Sequence, residues 1–457
     1  MNELVESNNQ PSSKPLTRRD LLRNAATASL AGAGIKVLID RFLSSDELQH
    51  GPPLEVPPFS GVIPVTEMLP AVEWNAQKVQ MSLEQAVQQS LETGQEIPVE
   101  LPEGEILIDR TVMCTIPEGA KVKLKGHEKG SCLKLDPARS EIAQEWGSFA
   151  QSSILYFRDM EGDLGIDGVQ FDGSSLRAQE RRDHVAAKSP WDAMVLIVGK
   201  GEGDPATDDG EKGYRPGEKY TPAMDRAGNR KGNAEIVNSR FYNSESGGVT
   251  IQNIHDAQFH DSQGSKLDVL FTSTWCDDVL SRNCRGEYLL SDGTYITSAQ
   301  NVKLENWQIK TARQAYDLQG VRNASLTQCH AYDSAFAFAF TLSETDKTTP
   351  SGKITVDDSH SEGCLTPFSI GEVQQLQVSN SNHDNVGEWY MQYVTGDFHH
   401  ASGIVPLGNA IAQPTSFISY GSHSTEGIDL ENVFMRVSPN ASKNFSLANL
   451  PGIRYTN

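Results

Sequence analysis

Three side chains in the second half of the chain stand at spacings that could bring them together: Tyr295, Asp317 and Arg313. Asp317 follows Tyr295 by 22 residues, and Asp292 and Arg313 precede them by a few positions each. A carboxylate beside an aromatic ring and a guanidinium could supply an acid/base group, a stacking surface and an anion contact. A second candidate is Trp275-Cys276-Asp277-Asp278. Paired carboxylates could share a proton, split acid and base roles, or hold Ca²⁺. Both have plainer alternatives: a solvated aspartate on an exposed strand, and a turn aspartate that caps backbone groups. Two adjacent acids on a strand also point to opposite sides.

These residues sit in segments that would stack: 248–252, 271–274, 294–297, 316–319 and 368–370. Their outward row reads Thr250, Thr272, Tyr295, Asp317 and Ser369, with Gln252, Thr274, Thr297 and Gln319 two residues on. A strip of hydroxyls and amides with aromatic rings, Tyr295 in it and Trp275 at its edge, suits sugar hydroxyls and sugar faces.

Stacking is required by a repeat. Between residues 233 and 395, segments share the order apolar, any, apolar, any, Asn/Asp/Gln, small. The polar column is Asn238, Asp261, Asn283, Asn306, Gln328, Asp358 and Asn380, with steps of 23, 22, 23, 22, 30 and 22 residues. Such a period marks a coil whose turns stack on one another. Alternation within each segment sends one side chain inward and the next outward. An amide-bearing residue at every turn suits a ladder of hydrogen bonds along the axis. A leucine-rich repeat has a similar period but needs an L-x-x-L-x-L pattern that this chain lacks. The expected fold is therefore all-β: a right-handed parallel β-helix, a solenoid, with an N-terminal capping helix. That helix is expected over Ser82–Thr93, with Leu83, Ala86, Val87, Ser90 and Leu91 on its apolar stripe. A final rung is expected at residues 428–432.

After the helix come Leu101-Pro102-Glu103-Gly104 and then Pro117-Glu118-Gly119, leading to Leu124-Lys125-Gly126. This opening resembles that of pectate-lyase-like β-helix proteins, over roughly residues 80–395 as architecture. The resemblance implies the fold and a carbohydrate substrate. It implies no single reaction, because that superfamily includes lyases, hydrolases, epimerases and non-catalytic proteins. Its polygalacturonase branch would show Asn-Thr-Asp, Asp-Asp, Gly-His-Gly and Arg-Ile-Lys in order. Only the Asp-Asp is present, so that branch's residue roles are not carried over. The readings left open are a polysaccharide lyase or glycoside hydrolase, and a non-catalytic glycan-binding or envelope structural protein.

The N-terminus reads as an address. Thr17-Arg18-Arg19-Asp20-Leu21-Leu22-Arg23 precedes a mildly apolar Ala/Gly-rich run, which resembles a twin-arginine export signal. It implies contact with the Tat export machinery and a periplasmic or secreted location. Residues 1–44 would be the signal segment, 45–78 a Pro/Gly-rich linker, and 79–457 the β-helix domain. Insertions interrupt that domain at 172–191, 199–232 and 342–352. The first carries Arg181, Arg182 and Trp191, candidates for binding a sugar carboxylate or sulfate. No other segment approaches a membrane span.

The formal net charge of −21 disfavours nucleic acid and anionic membrane surfaces as partners. An anionic polysaccharide would need a locally basic cleft or a bridging cation such as Ca²⁺. No other cofactor is implied. The six cysteines lack zinc-ligand spacing and read as buried small apolar side chains. His330, His360 and His383 fall at or next to equivalent rung positions and read as surface residues. Gly199-Lys200-Gly201-Glu202-Gly203 is not a nucleotide loop, since an acid interrupts it and no helix pattern follows.

Overall fold

The computed structural model describes residues 74–136, 153–174, 193–200, 230–244, 247–289, 291–334, 336–341, 350–364, 366–370, 373–386, 391–393, 427–431, 434–437 and 453–456. It opens with α1 (Ala76–Thr93). The helix begins earlier than its apolar stripe suggests because Asn75 caps it, its side chain accepting from the Lys78 N–H at 3.0 Å. Gly94 ends it in the left-handed region, φ 69°, and donates its N–H to the Ser90 carbonyl. The buried stripe is Ala76, Val79, Leu83, Ala86 and Ser90. Leu91, expected on it, lies one residue further round and is 45% exposed. Ser90 ties the cap to the coil, its hydroxyl accepting from the Lys121 N–H at 2.8 Å. α1 packs over the strands Glu96–Glu100, Val112–Thr115 and Lys121–Lys125, closing one end of the core.

Beyond the cap the regular elements among the described residues are all strands, and every strand pairing is parallel. A ten-stranded sheet forms one face of the coil. A twenty-stranded sheet forms the other two, as two series of strands that merge where Asp278–Leu289, Asn301–Lys310 and Asn323–Tyr332 run through the corner between them. Each rung adds one strand per face on top of its predecessor, so the fold is a right-handed parallel β-helix with an N-terminal capping helix.

The polar column lies at that corner. All seven residues adopt φ between 46° and 55°, the left-handed region that Asn and Asp tolerate best among residues with a side chain. Their amides link rung to rung. Asn283 donates to Asp261 at 2.9 Å, Asn306 to Asn283 at 2.9 Å, and Gln328 to Asp358 at 3.0 Å. At the column's ends Asn238 donates to Asp167 and Asn380 to Asp357. The other two corners repeat the device. Asn243, Lys266, Tyr288, Thr311, Asp333 and Gly363 form one column of positive φ, and Asn253, Trp275, Ser298 and Gly320 the other. Upstream, glycine holds the corner at Gly126 and Gly168. A Cβ on Gly126 would lie 2.1 Å from the Gly168 carbonyl oxygen, so the rungs stack there only because it has none.

Inside the coil, side chains stack along the axis. Tyr316, Phe338 and Phe368 form one stack with ring centroids 5.2 and 5.1 Å apart. Phe259 stacks on Phe271 at 4.9 Å and meets Trp307 at 6.0 Å. All six cysteines are buried free thiols. His383, expected at the surface, is fully buried: its column is the inward one, and its ring stands edge-on to Phe368 at 5.0 Å. The strand Gly427–Glu431 pairs with Val373–Ser379 where a rung was expected, but it is not the final one, because Ile453–Thr456 stacks on it in turn. Among the described residues no helix is long and apolar enough to cross a membrane.

Each of the three insertions joins a strand of the ten-stranded sheet to one of the twenty-stranded sheet in sequence. Two flank the strand Ala193–Gly199, and the third follows Phe336–Thr341. The third ends sooner than expected, because Ser351 and Gly352 already belong to the strand Ser351–Asp357. The twin arginines Arg18 and Arg19, and Arg181, Arg182 and Trp191 of the first insertion, lie outside the described residues.

Candidate functional site

The ten-stranded sheet places the candidate residues in register. Thr250 pairs with Thr272, Thr272 with Tyr295, Tyr295 with Asp317, Asp317 with Ala339, and Ala339 with Ser369. Two residues on, Gln252, Thr274, Thr297, Gln319 and Thr341 align in the same way. The neighbours between them, such as Ile251, Ile296, Leu318 and Phe340, belong to the interior core, so the aligned rows face outward. Toward the capping helix the outward row turns apolar, with Tyr156, Leu196 and Val198 clustered beside Met113 and apart from the core.

This outer face is buried. Thr250, Thr272, Thr274 and Thr297 have no exposed surface, and Asp317 and Gln319 are 1% and 2% exposed. Sequence periodicity describes a strand face but not what lies over it, so an open groove was the natural expectation. The hydroxyl oxygens of Thr250, Thr272, Thr274, Thr297 and Ser369 find no hydrogen-bond partner. A buried hydroxyl left unpaired costs about 1–3 kcal/mol. They lie in the two aligned rows of this face, Thr250, Thr272 and Ser369 in one and Thr274 and Thr297 in the other.

The carboxylates divide by environment. Asp317 accepts a hydrogen bond from Gln319 at 2.9 Å, and Gln319 in turn accepts from the Tyr295 hydroxyl at 3.4 Å. Tyr295 is itself buried, packed on Val269 outside the core. Ala339, the next in Asp317's row, presents only a methyl group. Arg313 sits at the start of the strand Gln314–Gln319 and forks onto Asp292, with Nη2 3.1 and 3.2 Å from the two carboxylate oxygens. Burial works to lower the Arg313 pKa, but Asp292, Asp317 and Asp268 outweigh it and hold the guanidinium charged.

Asp277 and Asp278, the second candidate, part company. Asp277 turns into a buried pocket at the sheet's exit edge. There Arg230 Nη1 meets one of its oxygens at 2.5 Å, and His255 Nδ1 lies 3.3 Å from the other. The Arg230 N–H also points at this second oxygen, and Arg230 Nε donates to Asn253 at 3.3 Å. Asp278 faces out on the neighbouring sheet and accepts from Asn301 at 2.9 Å. Asp277 lies in the bend before the strand that Asp278 opens, and the two carboxylates engage different partners, Arg230 and His255 for one and Asn301 for the other. Among the described residues no group of three or more His, Cys, Asp or Glu side chains is arranged to hold a metal ion. Trp275, at the left-handed turn before them, is 2% exposed.

Arg230, His255 and Asn253 were not anticipated. Arg230 belongs to an insertion of balanced charge, and its partner lies 47 residues away. Asn253 is the one with a signal, since it stands a rung before Trp275 in the left-handed corner column. Its side chain donates to the carbonyls of Gly199 and Lys200 and fixes the chain where the second insertion departs.

The fold and this face define a β-helix with a covered polar strip along one sheet. No protein-family model matches the sequence, and no curated protein matches it. Two solved structures are similar in fold. One is the catalytic domain of a GH87 alpha-1,3-glucanase in complex with tetrasaccharides, at 10% identity and a TM-score of 0.33, covering 89% of this chain and 70% of that one. The other is the A-module of a mannuronan C-5 epimerase from Azotobacter vinelandii, at 11% identity and a TM-score of 0.26, covering 84% of this chain and 91% of that one.

Proposed function

We propose that the protein is a carbohydrate-active enzyme that takes a polysaccharide along the outer face of the ten-stranded sheet, with Asp317 as its acid/base group. The observation that carries this is the in-register ladder of buried, unpartnered hydroxyls at Thr250, Thr272, Thr274, Thr297 and Ser369. A glycan offers hydroxyls at a regular spacing, and the strands repeat every ~4.8 Å. One occupant could therefore satisfy several rungs at once. Asp317 stands within this ladder with a neutral amide on one oxygen and a small residue in the next rung.

Incubating the purified protein with plant, algal and bacterial polysaccharides tests the reading. Unsaturated sugar ends report a lyase, and new reducing ends without unsaturation report a hydrolase. Asp317→Asn should lower turnover by about 10²-fold or more while leaving the fold intact. Unchanged turnover in this variant would remove Asp317 from the chemistry.

A binding-only role has one observation in its favour. Asp292, the other carboxylate of this sheet that acts on Arg313 and a candidate partner of Asp317 in hydrolysis, is engaged by that guanidinium. Glycan retention with no product from any polysaccharide would favour that role.

Export through the twin-arginine route is part of the proposal and rests on Arg18 and Arg19 alone. Replacing both with Lys should leave the protein in the cytoplasmic fraction. Unimpaired export of that variant would refute it.

A further inference from the structure

We propose that the strip selects neutral glycans over uronate-containing and sulfated ones, and that Asp292 sets this preference by occupying Arg313. The inference deepens the carbohydrate reading above and rests on it.

A guanidinium recognises a carboxylate or sulfate by presenting two parallel N–H groups. Arg313 is a cation of this sheet that interacts electrostatically with Asp317, and its fork is already filled. Nη2 contacts both oxygens of Asp292, and Nε lies 3.4 Å from one of them. Asp292 is itself 2% exposed, so the acceptor side of the pair is held inside the protein. The fork cannot swing away to a ligand without stranding a buried carboxylate. The surroundings are acidic beyond this pair, for Asp317 and Asp268 also act on the same guanidinium. One positive charge thus faces three carboxylates. The buried cation at this sheet's exit edge, Arg230, is committed to Asp277.

Among the described residues, what remains for a ligand is uncharged: the hydroxyls of Thr250, Thr272, Thr274, Thr297 and Ser369, and the amide of Gln252. An anionic sugar lying across Tyr295 and Asp317 would enter a region of net negative charge whose guanidinium is already engaged, and like-charge contacts in a dry site act against the wrong partner. A neutral sugar meets no such penalty. The chain's overall charge of −21 adds a long-range bias in the same direction.

The test is binding of the full-length protein to two sets of hexasaccharides by calorimetry at low ionic strength. One set is built from glucose, mannose, galactose or xylose, and the other from galacturonate or mannuronate. At least one neutral oligomer should bind at least tenfold more tightly than any uronate. Uronate binding equal to or tighter than neutral binding would overturn the selectivity while leaving the carbohydrate reading in place. Binding of neither set would sink the carbohydrate reading and this inference with it. The near-isosteric Asp292→Asn, checked for native melting, should release Arg313 and raise the ratio of uronate to neutral affinity at least tenfold. An unaltered ratio in a folded variant would remove Asp292 from the role. Should that variant not fold, the comparison on the unmodified protein still decides the selectivity.

Discussion

Removing one member of a buried ion pair leaves the other without its counter-charge, which is why Asp277 matters more than its surface neighbour Asp278. Asp277→Ala should destabilise the protein by about 3–5 kcal/mol, read as a lower denaturant midpoint. Combining it with Arg230→Met should recover much of the loss, because no charge is then stranded. At His383 the same logic couples to pH. Burial, with His360 adding to it, lowers the pKa of this ring from 6.5 to about 3. The folded protein therefore keeps the ring neutral while the unfolded chain protonates it below pH 6.5. Stability is fully present above that pH and falls as pH drops toward 3, at up to about 1.4 kcal/mol per pH unit for this one group. His260 and His330, also lowered chiefly by burial, act in the same direction. His383→Gln should flatten this acid limb in unfolding titrations. Equal acid sensitivity in both proteins would mean that His383 is not the group responsible.

Among the elements, the corner column was the most legible, because the backbone requirement and the side-chain requirement coincide in one residue type. A left-handed corner favours Asn and Asp, and an axial ladder favours side chains that both donate and accept. At Asn306, φ 51° and the 2.9 Å bond to Asn283 can be separated by mutation. Asn306→Ala should cost about 1–2 kcal/mol, chiefly from the left-handed backbone. Asn306→Gly keeps that backbone accessible and should cost less in the same unfolding assay. The helix start was less legible: the stripe pointed to Ser82, and the capping side chain of Asn75 that extends it stands outside the periodic pattern. The register of Thr250, Thr272, Tyr295, Asp317 and Ser369 followed from the period alone. The pairing of Arg313 with Asp292 did not, since it depends on rotamers at two turn positions.

In the molecule as a whole, each rung contacts its neighbours above and below, so stability is close to a sum over repeats. Deleting residues 301–322 would join Gln300 directly to Asn323, the residue that pairs with Asn301 one rung on. The shortened protein should keep a β-rich far-ultraviolet spectrum and cooperative melting while losing turnover, because Arg313, Asp317 and Gln319 leave with the rung. A chain that aggregates or melts without cooperativity would show that this rung is not interchangeable. Periodicity reveals the coil but is silent on non-repeating segments. The burial of the polar strip and the capture of Asp277 by Arg230 were for that reason hidden in the sequence. Arg230 stands where the second insertion rejoins the coil, a point no repeat marks.

The thiols offer a way to watch that coil open. Cys114, Cys132, Cys276, Cys284, Cys329 and Cys364 are spread from the first rungs to the late ones. Burial pushes Cys114, Cys132 and Cys284 up to about 12, far from the thiolate an alkylating reagent needs. Each sulfur can react only when its own turn of the spiral comes apart. The sequence in which six positions become labelled under mild denaturant would then trace, from end to end, where unwinding begins and how far it travels.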